Sequence, residues 1–286
     1  MEQTLSHEAM VDVVRSLATD PALLKLYAQG DKLSRGQTKH NVGHAVSVVE
    51  VADKLAAEVS SRFPEKLPPL SVDVIIPAGA FFHDIGRALN VSDHAEAGRK
   101  VALEFLRSRG FSLEVAGKVA AIVSRHRSED FLKISQATLS EFPELCIVVI
   151  ADKCVGDEDR VRFWRAMALR VLSKLGLARR NLWRNAKHDR VNFSIKNSEM
   201  LVDSDPDYNE AHAGAMILQL QVDESIASAR ELVTLYTRRF QACDAGARSM
   251  GFIFRLEING IRYRFDESHP TVSWSAIETF SIQPPQ

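Results

Sequence analysis

Cysteine is scarce in this sequence of 286 residues, where the type occurs only as Cys146, Cys154 and Cys243. Their number is odd and no two of them have the CxxC spacing, which argues against a disulfide framework and against a zinc knuckle. Few, unpaired thiols are typical of a reducing compartment. We therefore expect a cytoplasmic protein.

Long hydrophobic runs are also missing. The longest apolar runs, such as residues 145–151, are far shorter than the roughly 18 to 20 residues needed to cross a bilayer. Near the start, Glu2, Glu8 and Asp12 stand where a secretory signal needs an uninterrupted apolar segment. We expect no signal peptide and no membrane association.

The sequence has no excess of either charge. It contains 36 Lys and Arg residues against 37 Asp and Glu, a formal net charge of −1. This balance gives no global field to hold a polyanion such as duplex DNA, so a nucleic acid partner is not expected. The 45% hydrophobic and 26% charged residues are typical of a folded globular protein and exclude disorder as a description of the whole chain.

The first half of the sequence contains one helical signal after another. Asp20 and Pro21 form an N-cap followed by a first-turn proline, and they open a helix that should stop near Gly30. From His40, apolar residues recur at helical spacing until a group of prolines that begins at Pro64. Further helices are predicted over residues 72–82, from 92 or 93 to 106, from 112 to about 126, and from Pro143 onward.

The pattern changes after about residue 185. Residues 191–195 and 199–203 alternate like the two strands of a hairpin, and a periodic helix is predicted from about Tyr208 to Ala242. Residues 252–267 form two alternating runs around Asn259-Gly260, a pair that favours a type I′ turn. A last strand candidate covers residues 272–282.

These patterns predict a mainly α protein in two parts. An all-α part covers residues 1–185, and a smaller α+β part with two hairpins and a long helix covers residues 186–286. The arginine-rich segment 158–187 joins them, and its spacing around Phe163 and Leu169 indicates an ordinary amphipathic helix with solvated arginines.

His83 and Asp84 occupy an unusual position for two polar residues. They close the apolar run VIIPAGAFF and are followed by Ile85, Gly86 and Arg87. A histidine and a carboxylate at the end of a buried element require a metal, an ion pair or a hydrogen-bond network, because an unpaired buried charge is costly. The other His-Asp pair, at residues 188–189, lies in a polar stretch and carries no such requirement.

Further ligand-type residues stand at positions that could converge on this pair. His40 and His44 are predicted at i and i+4 on one helix face, and Asp152 lies inside the apolar stretch IVVIADKC. His94 and His126 stand at predicted helix ends. Imidazole and carboxylate without thiolate suit Mn, Fe, Co, Ni, Zn or Mg and exclude a sulfur-rich structural site. The sequence therefore indicates a divalent metal and a catalytic kind of ligand set.

The order His44, His83-Asp84, Asp152 resembles the H…HD…D signature of the HD-domain superfamily of metal-dependent phosphohydrolases, and HDIGR is similar to its central motif. The resemblance covers roughly residues 35–160. It implies an HD-type helical bundle in which these four side chains bind one metal ion. Residues 93–102 and the stretch SRHR resemble segments that supply extra histidines in two-metal members, which implies His94 and His126 as ligands of a second ion.

The stretch KHNVGHAVSVV also resembles the YHNxxHAxxV segment of cyclic-nucleotide phosphodiesterases. That likeness implies His40 as a general acid and His44 as a metal ligand. Other features of the related families are missing: the phosphodiesterase continuation after HDI, the HDxxED stretch of guanosine-tetraphosphate hydrolases and the GYP tripeptide of cyclic-di-GMP phosphodiesterases. The substrate stays open within the superfamily.

We therefore expect an enzyme that hydrolyses a phosphate mono- or diester, of a nucleotide or similar small phosphorylated metabolite, with one or two divalent metal ions. The resemblance implies that Asp84 bridges the metals, that Arg87 offsets charge on the phosphoryl oxygens, and that His40 protonates the leaving oxygen. Lys153, which follows a ligand motif, is a further candidate for substrate binding.

Two alternatives remain at this point. One is an HD-fold di-iron oxygenase, which ligand type alone does not exclude. The other is a non-catalytic signalling module that binds a ligand, although such a module has no need of an intact ligand set. The oligomeric state stays open, and a homodimer is one candidate.

Overall fold

The computed structural model describes residues 5–156, 158–180, 182–183, 185–203, 214–266 and 273–276, and over these the chain is mainly helical, as predicted. A helical bundle comes first and a smaller α+β part follows. The helices are α1 His7–Ser16, α2 Pro21–Leu33, α3 Val42–Arg62, α4 Ile76–Phe82, α5 His94–Ser108, α6 Leu113–Arg125, α7 Ser128–Phe131, α8 Gln136–Ser140, α9 Pro143–Cys154, α10 Phe163–Lys174, α11 Ala186–Ser194 and α12 Ala229–Ser249.

The predicted caps begin the helices of the bundle. Asp20 accepts backbone N–H groups at the start of α2, and Ser112 accepts the N–H of Val115 at the start of α6. Asn41 caps α3 by accepting the N–H of His44. His40 therefore precedes the helix, and the prediction that it shares a helix face with His44 is wrong, because the Asn41 cap fixes the helix start after it.

The predicted helix over residues 72–82 is confirmed, with one irregularity. A π-helical turn, Ser71–Ile75, leads directly into α4. Pro77 has no N–H to donate to the carbonyl of Asp73, so the regular α-helical ladder cannot continue through this point. Helix α4 then delivers His83 as its C-cap.

The C-terminal part contains a five-stranded sheet within the described residues. Its strands follow the chain order, and neighbours are antiparallel except for the second and third, which are parallel. Helix α12 makes the connection between those two. The strands are β1 Ile195–Asp203, β2 Ala215–Val222, β3 Ile253–Ile258, β4 Ile261–Asp266 and β5 Ser273–Ala276.

Two predictions for this part are wrong. Residues 191–194 belong to α11, and β1 is one continuous strand paired with β2, so residues 191–203 are not a hairpin. Residues 215–222 form β2, where a helix was expected. An apolar run such as AMILQLQV has no period that separates a buried strand from a helix. Helix α12 begins only at Ala229, after a capping box made by Ser228 and Glu231, and residues 208–213 lie outside the described residues.

The second predicted hairpin is confirmed by β3 and β4. Asn259 and Gly260 have φ angles of 51° and 79°, the two positive values that a type I′ turn requires. The last strand candidate is described only over residues 273–276, which form β5; residues 272 and 277–282 lie outside the described residues.

Helix α9 is the centre of the molecule. Every residue in it except Lys153 is buried, and it packs against α3, α4 and α12. The apolar core is continuous from Met10 in α1 to Ile258 in β3. The division of the chain at residues 185–186 stays a prediction.

Helix α10 has a largely exposed apolar side. Trp164 is 81% exposed and Phe163 62%, while Leu169 is buried. The expected amphipathic helix thus buries only part of its apolar residues. Among the described residues, none of the helices has the length and apolar content that crossing a membrane would require.

Candidate metal centre

Four predicted side chains meet where α3, α4 and α9 pack together. The Nε2 atoms of His44 and His83 each lie 3.5 Å from Oδ1 of Asp152. Nε2 of His83 is also 3.3 Å from Oδ2 of Asp84. All four residues are buried. We call His44, His83, Asp84 and Asp152 the first cluster.

A second cluster lies on the other side of Asp84. Its Oδ1 atom is 3.3 Å from Nε2 of His94 and 3.9 Å from Nε2 of His126. His94 begins α5 and His126 follows α6, and both are buried. Asp84 therefore presents one oxygen to each cluster.

Backbone carbonyls fix the orientation of the histidine rings. The Nδ1 atoms of His83 and His126 lie 2.7 Å from the carbonyls of Ala80 and Val123, and Nδ1 of His94 lies 3.2 Å from a carbonyl as well. A proton on Nδ1 satisfies each carbonyl, which leaves the lone pair on Nε2 directed into the site.

The resulting arrangement is unfavourable without a cation. The Nε2 atoms of His94 and His126 lie 3.3 Å apart, so that their lone pairs face each other. Nε2 of His83 is buried, and the structure records no hydrogen bond that satisfies it. A divalent cation would satisfy both features. The residues present therefore fit a metal.

Burial keeps three of the histidines in the form that binds metal. It lowers the pKa of His44 and of His126 to about 3, and it lowers the pKa of His94 below its usual value. The nearby positive charge of Arg160 acts in the same direction on His44. These imidazoles are neutral at neutral pH, as ligation requires.

The two carboxylates are ionised for a different reason. Burial alone would raise the pKa of Asp84, but the charges of Arg87 and His83 outweigh it and hold the pKa well below its usual range. Lys153 and His83 do the same for Asp152. For His83 burial lowers the pKa, but the two carboxylates outweigh it, so its pKa is raised.

Arg87 and Lys153 each donate a hydrogen bond to a carboxylate of the site. Nε of Arg87 donates to Oδ1 of Asp84 at 2.7 Å, and its guanidinium also donates to Gln37 at 2.9 Å. The ammonium of Lys153 donates to Oδ2 of Asp152. Both predicted substrate-binding residues therefore lie at the site.

His40 lies at the edge of the first cluster. Its Nε2 is 4.0 Å from Oδ2 of Asp84, and its Nδ1 is 2.7 Å from the carbonyl of Thr38. Its backbone N–H donates to Asp31. Burial lowers its pKa well below the usual value, so it is neutral at neutral pH.

Arg160 is a site residue that the sequence interpretation missed. It ends the short 3₁₀ helix Glu158–Arg160 and is only 8% exposed. One guanidinium nitrogen lies 2.7 Å and 2.8 Å from the two ring nitrogens of His44, and the other lies 3.3 Å from Nε2 of His40.

Burial and the charge of Arg239 lower the pKa of Arg160 to about 10, which leaves it positively charged at neutral pH. The only sequence signal for this residue is its position eight residues after Asp152, across a short loop. The many exposed arginines around it concealed that signal.

A polar cavity of about 570 Å³ opens onto both clusters. Its wall includes Arg160, and Arg238 and Arg239 from α12. Another cavity, of about 390 Å³, lies between α1, α3 and α4 and is lined mainly by apolar residues, with no histidine or cysteine. The metal-binding chemistry belongs to the polar cavity.

Comparison with known families assigns this part of the chain. The family model of the HD domain matches residues 41–157, a segment that includes every residue of both clusters but ends before Arg160. A comparison with curated proteins gave no match. HD domains are typically metal-dependent phosphohydrolases, and the two clusters could hold metal. Residues 41–157 therefore match an HD domain, the family that the sequence motifs resemble.

Proposed function

We propose that the protein is a metal-dependent phosphohydrolase that cleaves a phosphate mono- or diester of a small metabolite such as a nucleotide. The observation that carries this proposal is the position of Asp84, which turns one carboxylate oxygen to each of two buried histidine clusters. A carboxylate shared in this way suits a pair of divalent cations.

The ligand assignment follows the two clusters. The first cation is held by His44, His83, Asp84 and Asp152, and the second by Asp84, His94 and His126. These nitrogen and oxygen donors suit Mn, Fe, Co, Ni, Zn or Mg. When bound, the metal supplies a Lewis acid for the phosphoryl group and lowers the pKa of a bound water to about 7.

Arg87 and Lys153 prepare the site for this chemistry. Arg87 donates a hydrogen bond to Asp84, and Lys153 donates one to Asp152. The positive charge of each side chain lowers the pKa of its carboxylate partner and keeps it ionised. With the charge of Asp84 balanced by a cation, the guanidinium of Arg87 would be available to bind a phosphoryl oxygen at the same place. Lys153 has the same relation to Asp152.

His40 is placed to move a proton. Its Nδ1 is turned to the carbonyl of Thr38, so Nε2, which faces Asp84, carries the lone pair. The lowered pKa means that His40 starts neutral. It is therefore placed to accept at Nε2 the proton that the attacking water loses, and then to deliver that proton to the leaving oxygen.

The positive side chains of the cavity support an anionic substrate for the proposed hydrolysis. Six Lys and Arg side chains line the cavity that opens onto the clusters. A cationic wall suits a phosphorylated substrate. The volume of about 570 Å³ lies within the range of roughly 300–1,000 Å³ that is usual for small-molecule sites.

The proposal is tested by measuring the metal content of the protein and its rate of phosphate ester hydrolysis. The purified chain is stripped with a chelator, reloaded with single metals and assayed with an activated aryl phosphate ester and with nucleotides. We expect His83→Asn and Asp84→Asn to lose metal and to lower activity by at least about a hundredfold, because even outer partners of metal ligands are worth about 10- to 100-fold.

His188→Asn is the matched control, because His188 belongs to the other His-Asp pair and lies outside both clusters. It should keep metal and activity. Full metal content in both His83→Asn and Asp84→Asn would disprove the site. Oxygen consumption without phosphate release by the iron-loaded protein would favour the oxygenase alternative.

A further inference from the structure

The cationic side chains of the polar cavity fall into two groups. Four of the six have a carboxylate within 4.0 Å: Arg87 with Asp84, Lys153 with Asp152, and Arg127 and Arg238 with Glu129. The other two are Arg160 and Arg239, for which the structure records no carboxylate partner within the described residues.

Arg160 is buried, and among the described residues no carboxylate lies within 4.0 Å of its guanidinium. It is only 8% exposed, its terminal nitrogens face the neutral rings of His44 and His40, and its Nε atom has no hydrogen-bond partner. A buried guanidinium in such surroundings is costly unless an anion joins it. The cavity is the side from which an anion can reach it.

Arg239 lies in α12 and lines the same cavity as Arg160. Its guanidinium carbon is 4.6 Å from the ring centroid of Tyr236. The hydroxyl of Tyr236 donates to Oδ1 of Asn192 at 2.8 Å, which fixes the ring. Arg239 is thus held in place by an aromatic face and not by an acid.

We propose that Arg160 and Arg239 form a second anion-binding subsite, which holds a second phosphoryl group of the substrate while the scissile phosphate lies at Asp84. The inference rests on the proposed function. It narrows the substrate to a small molecule with two phosphoryl groups, since a monophosphate leaves this arginine pair without an anion.

The subsite also gives a role to two like charges that line one cavity. Two guanidinium groups in a partly buried wall repel each other, and a dianionic phosphoryl group between them offsets both charges. Both residues lie outside residues 41–157, so the metal clusters and this subsite come from different parts of the chain.

The test compares ligands with one and two anionic groups. Alkane-α,ω-bisphosphonates with spacers from one to six carbons, and alkylphosphonates of the same lengths, are titrated calorimetrically into the manganese-loaded protein. At one spacer length the bisphosphonate should bind at least tenfold more tightly than its alkylphosphonate. Arg239→Gln should abolish that preference.

Arg230→Gln is the matched control, because Arg230 lies on α12 and is exposed outside the cavity. It should keep the preference. Arg160→Gln should lose the preference as well, with its metal content measured in parallel because Arg160 contacts His44. Equal affinities of the two ligand types at every spacer length would overturn the subsite. A preference for the bisphosphonate that survives Arg239→Gln, or that disappears equally in Arg230→Gln, would also overturn it.

Hydrolysis of the aryl phosphate ester separates this inference from the proposed function. If the protein hydrolyses that ester but Arg239→Gln keeps the bisphosphonate preference, the subsite is wrong and the function stands. If no ester is hydrolysed but the preference depends on Arg239, the subsite stands and the hydrolytic function is wrong.

Discussion

Asp84 has two carboxylate oxygens with different surroundings. One faces the histidines of α3 and α4, and the other faces those beside α5 and α6. A single residue therefore sets the spacing between the two clusters. Loss of a histidine from one cluster should leave the other cluster intact, so that substitutions can test the two clusters separately.

The first prediction concerns the number of metal ions. We expect His126→Ala to lose one ion per chain and to keep the one held by the first cluster, because it removes a donor from the second cluster alone. Metal counting on the purified variant measures this. An unchanged count would show that His126 is a buried histidine without a ligand role.

A second prediction concerns pH in the metal-free protein. Burial holds the pKa of His44 and His126 at about 3, against the usual 6.5. Between these values the unfolded chain binds protons that the folded chain does not, so the free energy of unfolding falls as the pH drops from 6.5 toward 3. The pKa of His83 is raised, so above pH 6.5 the folded chain holds a proton that the unfolded chain has lost. For this residue the free energy of unfolding therefore falls as the pH rises above 6.5.

Urea unfolding of the chelator-treated protein at pH 7, 6 and 5 measures this dependence. His126→Asn should reduce the slope below pH 6.5, because one buried neutral histidine is removed. A slope identical to that of the unsubstituted protein would show that His126 does not stay neutral on folding.

At the scale of elements, the site depends on a close contact between the 3₁₀ turn Ile85–Ala88 and α5. A Cβ atom on Gly86 would lie 2.1 Å from the carbonyl oxygen of His94 and 2.2 Å from the amide nitrogen of Gly98. Both are backbone atoms that cannot turn away. Gly86 thus allows the turn that follows Asp84 to touch the helix that begins with His94.

Gly86→Ala should therefore destabilise the fold by about 1–3 kcal/mol or more, and it should weaken binding of the second ion by pushing α5 away. Thermal unfolding and metal counting measure the two effects. Gly117→Ala is the control, because nothing lies within 4 Å of its added Cβ in α6. It should stabilise the protein by up to about 1 kcal/mol, and equal behaviour of the two variants would contradict the contact argument.

At the scale of the whole molecule, α12 completes the environment of α9. An added Cβ on Gly246 would lie 3.4 Å from Ile150 and 3.5 Å from Cβ of Cys146, and the thiol of Cys146 lies 3.2 Å from the hydroxyl of Ser249. Helix α9 carries Asp152 and is buried on all sides. The first and second clusters and the α+β part are therefore built on one shared apolar core.

A chain that ends at residue 189 should therefore fail to fold cooperatively, because it exposes the side of α9 that α12 covers. Circular dichroism during urea unfolding measures this against the full chain. A sharp unfolding transition in the shortened chain, with bound metal, would show that residues 1–189 are an independent unit.

Three of the residues that the structure brings together, His83, Asp84 and Asp152, stand out in the sequence because they lie at the end of or inside apolar runs. His83-Asp84 and Asp152 are polar residues at the end of or inside buried helices, and their need for partners is a local property. Caps such as Ser112 and the Asn259-Gly260 turn are local as well. Such features depend on only a few neighbouring residues.

The errors arose where long-range packing decides the structure. The apolar residues 215–222 become a strand because β1 and β3 flank them, which no periodicity within the segment shows. Arg160 is buried against His44 and His40, although Arg170 and Arg179 of the same segment are exposed. Identical residue types in one segment thus take opposite roles for reasons outside that segment.

The position of α12 also sets an order of events during protein synthesis. All six candidate ligands precede residue 155, so a ribosome releases them before it makes α12. Until residue 249 has emerged, α9 lacks the helix that covers it. We therefore expect any metal loading in the cell to follow the release of the nearly complete chain.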